Sequence, residues 1–355
     1  MEHDAKLRGE TRAIWATALC FVVGAVAGML VLGGDARPLT GEGALAMPAA
    51  VVAGGIAAGA FLTSTLVHRR GETASMPRWQ AVVSDLSTGA LTIAFGAVTV
   101  MGVLLAAEVL AAGLQGLQLA AVGGGILTGV AAAVGGRFAF GAGIDLRTSA
   151  LAALLFGFLV IGTLFAMVTA ADPRWWEQNF SQLGVGWAFN GTLVVAGLLV
   201  ATVGSYIGRD LHRMLGDAVL SRIALVVALW AASGIALAAV GLLPLHRVPV
   251  PHDIAALGAL VLFAAAAATT VARVPGHPRA LSITSIGVGL LIVIALVLWV
   301  PFGVYSTTAV EAIVVGLGLL WMATLVRVLA ILVPAGSRPS GRLRLMRAGA
   351  GPGER

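Results

Sequence analysis

The residues best able to do chemistry in this 355-residue chain are few, and they fall near the ends of apolar runs. Glu311 stands inside the run that begins at Thr308, with Tyr305 just ahead of it. Asn190 follows the segment Asp172-Pro-Arg-Trp-Trp-Glu-Gln-Asn-Phe-Ser-Gln-Leu-Gly184, which holds Trp175, Trp176 and Glu177. A third stretch reads His246-Arg-Val-Pro-Val-Pro-His252-Asp253. Lipid penalises charge, so an ionisable side chain within an apolar segment tends to face protein or water, and Glu311 leads the ligand-binding candidates. Its competing reading is a carboxylate one turn below the interface that simply reaches water.

Asn190 is balanced between a ligand contact and a hydrogen bond that holds a neighbouring helix. Trp175 and Trp176 read first as interfacial anchors and second as stacking surfaces for a ligand. His252 changes charge near neutral pH and Asp253 suits a cation or a proton, so both are candidates for acid–base work or ligation. A structural role is preferred for Asp253, at the positive end of a helix whose free N–H groups it would cap. No residue is assigned a catalytic role, and no metal or cofactor is expected. Only His246 and His252 lie in this set of loops, without metal spacing, and the sequence has no phosphate-binding Gly loop, His-Glu-x-x-His helix or Gly-x-Ser-x-Gly elbow.

These residues must be positioned by helices that cross a membrane. With 59% hydrophobic and 11% charged residues and a mean hydropathy of +0.98, the chain holds more apolar side chains than one water-soluble core takes up. Runs of about twenty residues span roughly 30 Å of hydrocarbon as helix, the conformation that satisfies each backbone group internally. Ten such segments are expected: Ile14–Leu32, Met47–Val67, Leu86–Ala107, Leu114–Val134, Thr148–Ala170, Trp187–Ile207, Ile223–Leu243, Ile254–Val271, Leu281–Val300 and Thr308–Val326. The first reads as an anchor rather than a removed signal peptide. The expected fold is thus an all-α polytopic transmembrane bundle.

Of the 22 Lys and Arg residues, all but Arg37, Arg174 and Arg247 fall on one side of this arrangement. Cytoplasmic loops hold such an excess, which places both termini in the cytoplasm and Glu311, Asn190 and His252 at the outer face. The net charge of +6 is then a matter of topology, and no nucleic-acid partner is expected. Arg327 is expected to snorkel to the inner interface. The organisation reads as a cytoplasmic segment 1–12, four helices over 13–147, six over 148–333 and a disordered basic tail over 334–355 that could touch anionic lipid. Cys20, the single cysteine, excludes an internal disulfide. Gly24-x-x-x-Gly28 and Gly55-x-x-x-Gly59 allow helices to approach closely. Pro77-Arg78-Trp79 before Ser84-Asp85-Leu86 matches Pro173-Arg174-Trp175 before Ser181-Gln182-Leu183, an inverted pair if not a coincidence.

At Phe180-Ser-Gln-Leu-Gly184, Phe189-Asn190-Gly191, His252-Asp253-Ile254-Ala255-Ala256 and Glu311 with Trp321, the sequence resembles the membrane family catalogued as domain of unknown function 998. The resemblance covers roughly residues 148–333, and that family itself looks like the DRAM and GPI-lipid-remodelling group of six-helix proteins. It implies a six-helix domain and a link to lipid handling or regulation. Two departures stand out: Gln182 where the resemblance leads one to expect Asp after Ser181, and Ala312 where it leads one to expect Arg after Glu311.

The first functional reading is a multi-pass protein of the cell membrane that binds or presents a lipid-like molecule in an outward pocket between the sixth, eighth and tenth helices. Membrane lipids are its expected partners, with a second membrane protein as an alternative. Two other classes stay open. A secondary transporter or accessory subunit fits ten helices, although Asp85, Asp145 and Asp210 all fall at expected cytoplasmic ends. An intramembrane lipid hydrolase or transferase would use His252, Asp253, Glu177 and Glu311. The balance leans away from an enzyme.

Overall fold

The computed structural model describes residues 2–68, 78–274 and 276–333. The expected tail over 334–355 and Arg69, Arg70 and Pro77 lie outside them. Among the described residues ten α-helices follow one another: α1 (Glu2–Leu32), α2 (Ala46–His68), α3 (Arg78–Gly113), α4 (Ala121–Ile144), α5 (Thr148–Val168), α6 (Trp187–Leu215), α7 (Leu220–Leu242), α8 (Pro249–Val271), α9 (Arg279–Trp299) and α10 (Thr307–Leu332). Each is long and apolar enough to cross a membrane. The all-α transmembrane fold read from composition is the fold observed. The helices pair their own backbone groups, which is what a lipid environment demands.

The chain divides into two compact units. One comprises Met1–Gly71 with Thr88–Leu146, the other Glu72–Ser87 with Arg147–Arg355. In the first unit, α1, α2 and α4 pack most closely. Apolar side chains gain little from leaving lipid for one another, so close packing of small residues has to supply the attraction. Gly24 and Gly28 of α1 face Gly129 and Gly125 of α4, and an added Cβ at Gly28 would stand 2.7 Å from the Thr128 side chain. Gly55 and Gly59 meet nothing within 4 Å. The close approach on α2 is instead made by Gly54, against Gly96 of α3. The small-residue face that packs is offset by one position from the sequence match. Phe61 and Phe95 stack with centroids 4.8 Å apart. Two-residue strands β1 (Arg37–Pro38) and β2 (Gln118–Leu119) pair antiparallel beside a cluster of Leu32, Leu39, Leu45 and Ala49.

The fourth helix differs from expectation in position. The Leu-rich stretch near Leu114 belongs to the end of α3, a turn at Gly116 (φ +77°) and β2. α4 starts at Ala121 and runs past Arg137, which the sequence reading put in a loop. Its guanidinium is paired at 2.5 Å with Glu10 of α1, so the charge is met by the neighbouring helix.

The second unit carries the site. α6 and α7 are its central pair, with α5 against α6, α8 against α7, and α10 against α9 and α5. Gly197 and Gly234 bring the α6 and α7 backbones together, and Gly204 accommodates Trp230, which is fully buried. Trp230, Phe263 and Trp321 form an aromatic cluster joining α7, α8 and α10, with centroids 5.2, 5.9 and 6.4 Å apart. Both indoles are satisfied: Trp230 Nε1 donates to Thr270 Oγ1 at 3.0 Å and Trp321 Nε1 to Ser285 Oγ at 2.9 Å. Such bonds let a large polar-tipped ring sit in an apolar interior. At the far end of α6, Asp210 accepts a short hydrogen bond from Thr148, with Arg209 and Arg213 near it.

Candidate functional site

The loops α5–α6, α7–α8 and α9–α10 gather at one end of the second unit, and local sequence explains how each is shaped. After α5, residues Trp175–Glu177 and Phe180–Val185 form two 3-10 turns instead of a continued helix. Pro249 at the first position of α8 has its φ preset for a helix start. Gly303, at φ +61°, turns the chain after α9, and Ser306 caps α10 by accepting the Ala309 N–H at 3.2 Å.

The Phe180–Val185 turn is held from three sides. Glu311, half-buried at the start of α10, accepts the Phe180 N–H at 2.7 Å. Ser181 and His252 are joined, Oγ to Nε2, at 2.9 Å, and the His252 Nδ1 lies 2.7 Å from the Leu243 carbonyl. A carbonyl only accepts, so Nδ1 carries the proton in the neutral ring, and Nε2 offers its lone pair to the Ser181 hydroxyl. His252 itself is 4% exposed. Asn190, in the first turn of α6, donates from Nδ2 to the Gly184 carbonyl at 2.7 Å and more loosely to Gly186 at 3.3 Å. A Cβ at Gly184 would come within 2.7 Å of Asn190 Oδ1, so a side chain at this position would displace the Asn190 amide. Thr308 adds a bond from its hydroxyl to the Trp176 carbonyl at 2.7 Å.

The expected candidates therefore separate. Glu311, Asn190 and His252 come together around one turn, each through a bond that ties the turn to α10, α6 or α8. Trp175 packs on Phe180, with ring centroids 5.2 Å apart, while Trp176 and Glu177 are exposed. Tyr305 is partly buried in the loop before α10. Asp253 is exposed and makes no cap: α8 begins at Pro249 after Val248, five residues earlier than the capping reading requires. The Asp253 carboxylate lies beyond the first turn, out of reach of the free N–H groups there. Among the described residues no group of three or more His, Cys, Asp or Glu side chains is placed to hold a metal ion.

Three participants were not singled out from sequence. Ser181 and Phe180 occur in the Phe-Ser-Gln-Leu-Gly motif, and their motif membership was the available signal. Asn179 gave none; its Oδ1 is buried without a hydrogen-bond partner.

The matching segments Ser84-Asp85 and Ser181-Gln182 adopt different backbones, the first within α3 and the second in a 3-10 turn. The inverted pairing thus has no counterpart in local structure. A recess lined by Trp79, Ser84, Ser205, Tyr206, Arg209 and Val227 lies toward the other end of α6, with the Arg209 guanidinium 4.2 Å over the Tyr206 ring. It shares no residue with the turn around Ser181.

Neither the curated proteins nor the solved structures provide a match to this chain. A family model does match, over residues 150–328, which takes in α5 to α10 apart from their outermost turns and every loop that builds the turn at Ser181. The chain is an integral membrane protein and belongs to the family described as "Protein of unknown function (DUF998)".

Proposed function

We propose that the protein binds and handles a lipid-like molecule at the extracytoplasmic end of its six-helix unit, in the cell membrane. One observation carries this reading. Glu311, Asn179, Asn190, Ser181 and His252 concentrate polar groups at one end of helices whose middle stretches are apolar. A lipid presents the same division, polar at one end and apolar along its length. Glu311 is an acceptor, so the matching headgroup is one that donates, through hydroxyl or ammonium groups.

α8 and α9 have the smallest share of buried residues among the ten helices and give acyl chains a face to lie against. The Lys and Arg asymmetry supports an outward position for this end.

Mass spectrometry of the intact protein released from mild detergent tests this, with wild type beside Glu311→Ala/Asn190→Ala. A defined lipid on the wild type and its loss from the double variant is the expected result, with both samples still monodisperse. Equal, unselective lipid on both would contradict the reading and favour a transporter or an accessory subunit.

A further inference from the structure

The bond between Ser181 and His252 has a geometry that a mere tether does not require. A hydroxyl is a poor nucleophile until a base stands ready for its proton, and the base must present its lone pair to that hydroxyl. Here the Leu243 carbonyl fixes the proton on Nδ1, which leaves Nε2 basic and 2.9 Å from Ser181 Oγ. The imidazole is buried and cannot turn freely, whereas Ser181 is only partly buried, on a turn at the end of the unit.

We propose that Ser181 and His252 are a nucleophile–base pair that cleaves or transfers an ester-linked acyl chain of a lipid held at this end of the six-helix unit. The proposal rests on the lipid reading above and adds chemistry to it. Ser181 Oγ bonds to the ester carbonyl carbon as its proton passes to His252 Nε2. The bond from that carbon to the lipid alcohol breaks, and the alcohol leaves with the proton from His252. Water, or a second alcohol in a transfer, then attacks the acyl-serine and gives its proton to His252. The acyl group departs as a carboxylic acid or a new ester, and the Ser181 hydroxyl is restored. Glu311 acts here as a positioning residue, through the Phe180 N–H that holds the turn.

The test uses the full chain in mild detergent and an alkyl fluorophosphonate, which a base-activated serine attacks with loss of fluoride. Peptide mapping should find the adduct on Ser181. It should be absent from Ser181→Ala and form about 100-fold or more slowly in His252→Ala. Wild-type labelling is read on the native fold, so the result does not depend on whether a variant folds. Bound lipid without any Ser181 adduct would overturn the chemistry and leave the lipid reading standing. Neither lipid nor adduct would overturn both, while an adduct without lipid would support the pair and count against lipid retention.

Discussion

Gly204→Leu is expected to prevent the six-helix unit from assembling. A Cβ at this position would overlap the Trp230 side chain where α6 crosses α7. Trp230 has no room to yield, because it is fully buried and packed on Phe263 and Trp321, with its Nε1 held by Thr270. Forcing extra carbons into a tight core costs about 1–3 kcal/mol, and a rigid aromatic neighbour sets this site at or above the top of that range. The same substitution would move α6, whose first turn bears Asn190. The expected observation is aggregated protein on size exclusion in detergents that keep the wild type monodisperse. Wild-type yield and melting temperature in Gly204→Leu would mean that this crossing is not the packing centre of the unit.

Glu311→Ala is expected to release the Phe180–Val185 turn without unfolding the helices. The substitution removes the carboxylate that accepts the Phe180 N–H. A hydrogen bond to a charged group contributes about 1.5–3 kcal/mol, and the site is partly open to solvent, so the lower part of that range applies. At about 1.4 kcal/mol for each factor of ten, amide exchange at Phe180 should speed by about tenfold. The α6 and α7 amides should keep their protection. Unchanged exchange at Phe180 would show that the turn is held by its other bonds alone.

The transmembrane character was legible because it rests on a bulk property: helices in lipid need length and apolarity, and both can be read locally. α4 was misplaced for a local reason. Gly116 and the Leu residues around it form an apolar loop and strand, whereas Arg137, which argued against helix, is matched by Glu10 more than a hundred residues away. Charge compensation at that separation has no local signature. The glycine matches show the same limit, since Gly24 and Gly28 pack and Gly55 and Gly59 do not. A spacing identifies a small-residue face without saying whether another helix lies on it.

Of the candidate site, Glu311, Asn190 and His252 were legible because a polar side chain at the edge of an apolar run calls for an explanation. Ser181 was not, because a serine in a polar loop is ordinary until a histidine is shown to stand beside it. Asp253 was misread because Pro249 starts α8 a full turn before the first strongly apolar residues.

The position of a bound lipid is the deciding observable. A phospholipid with a photoreactive diazirine near its headgroup, incorporated with the full chain into vesicles and irradiated, reports this directly. Adducts should concentrate in peptides from 172–190, 249–256 and 303–311, and be depleted when Glu311 and Asn190 are both replaced by alanine. Adducts spread over both ends of the helices, and unchanged in that double variant, would contradict this placement.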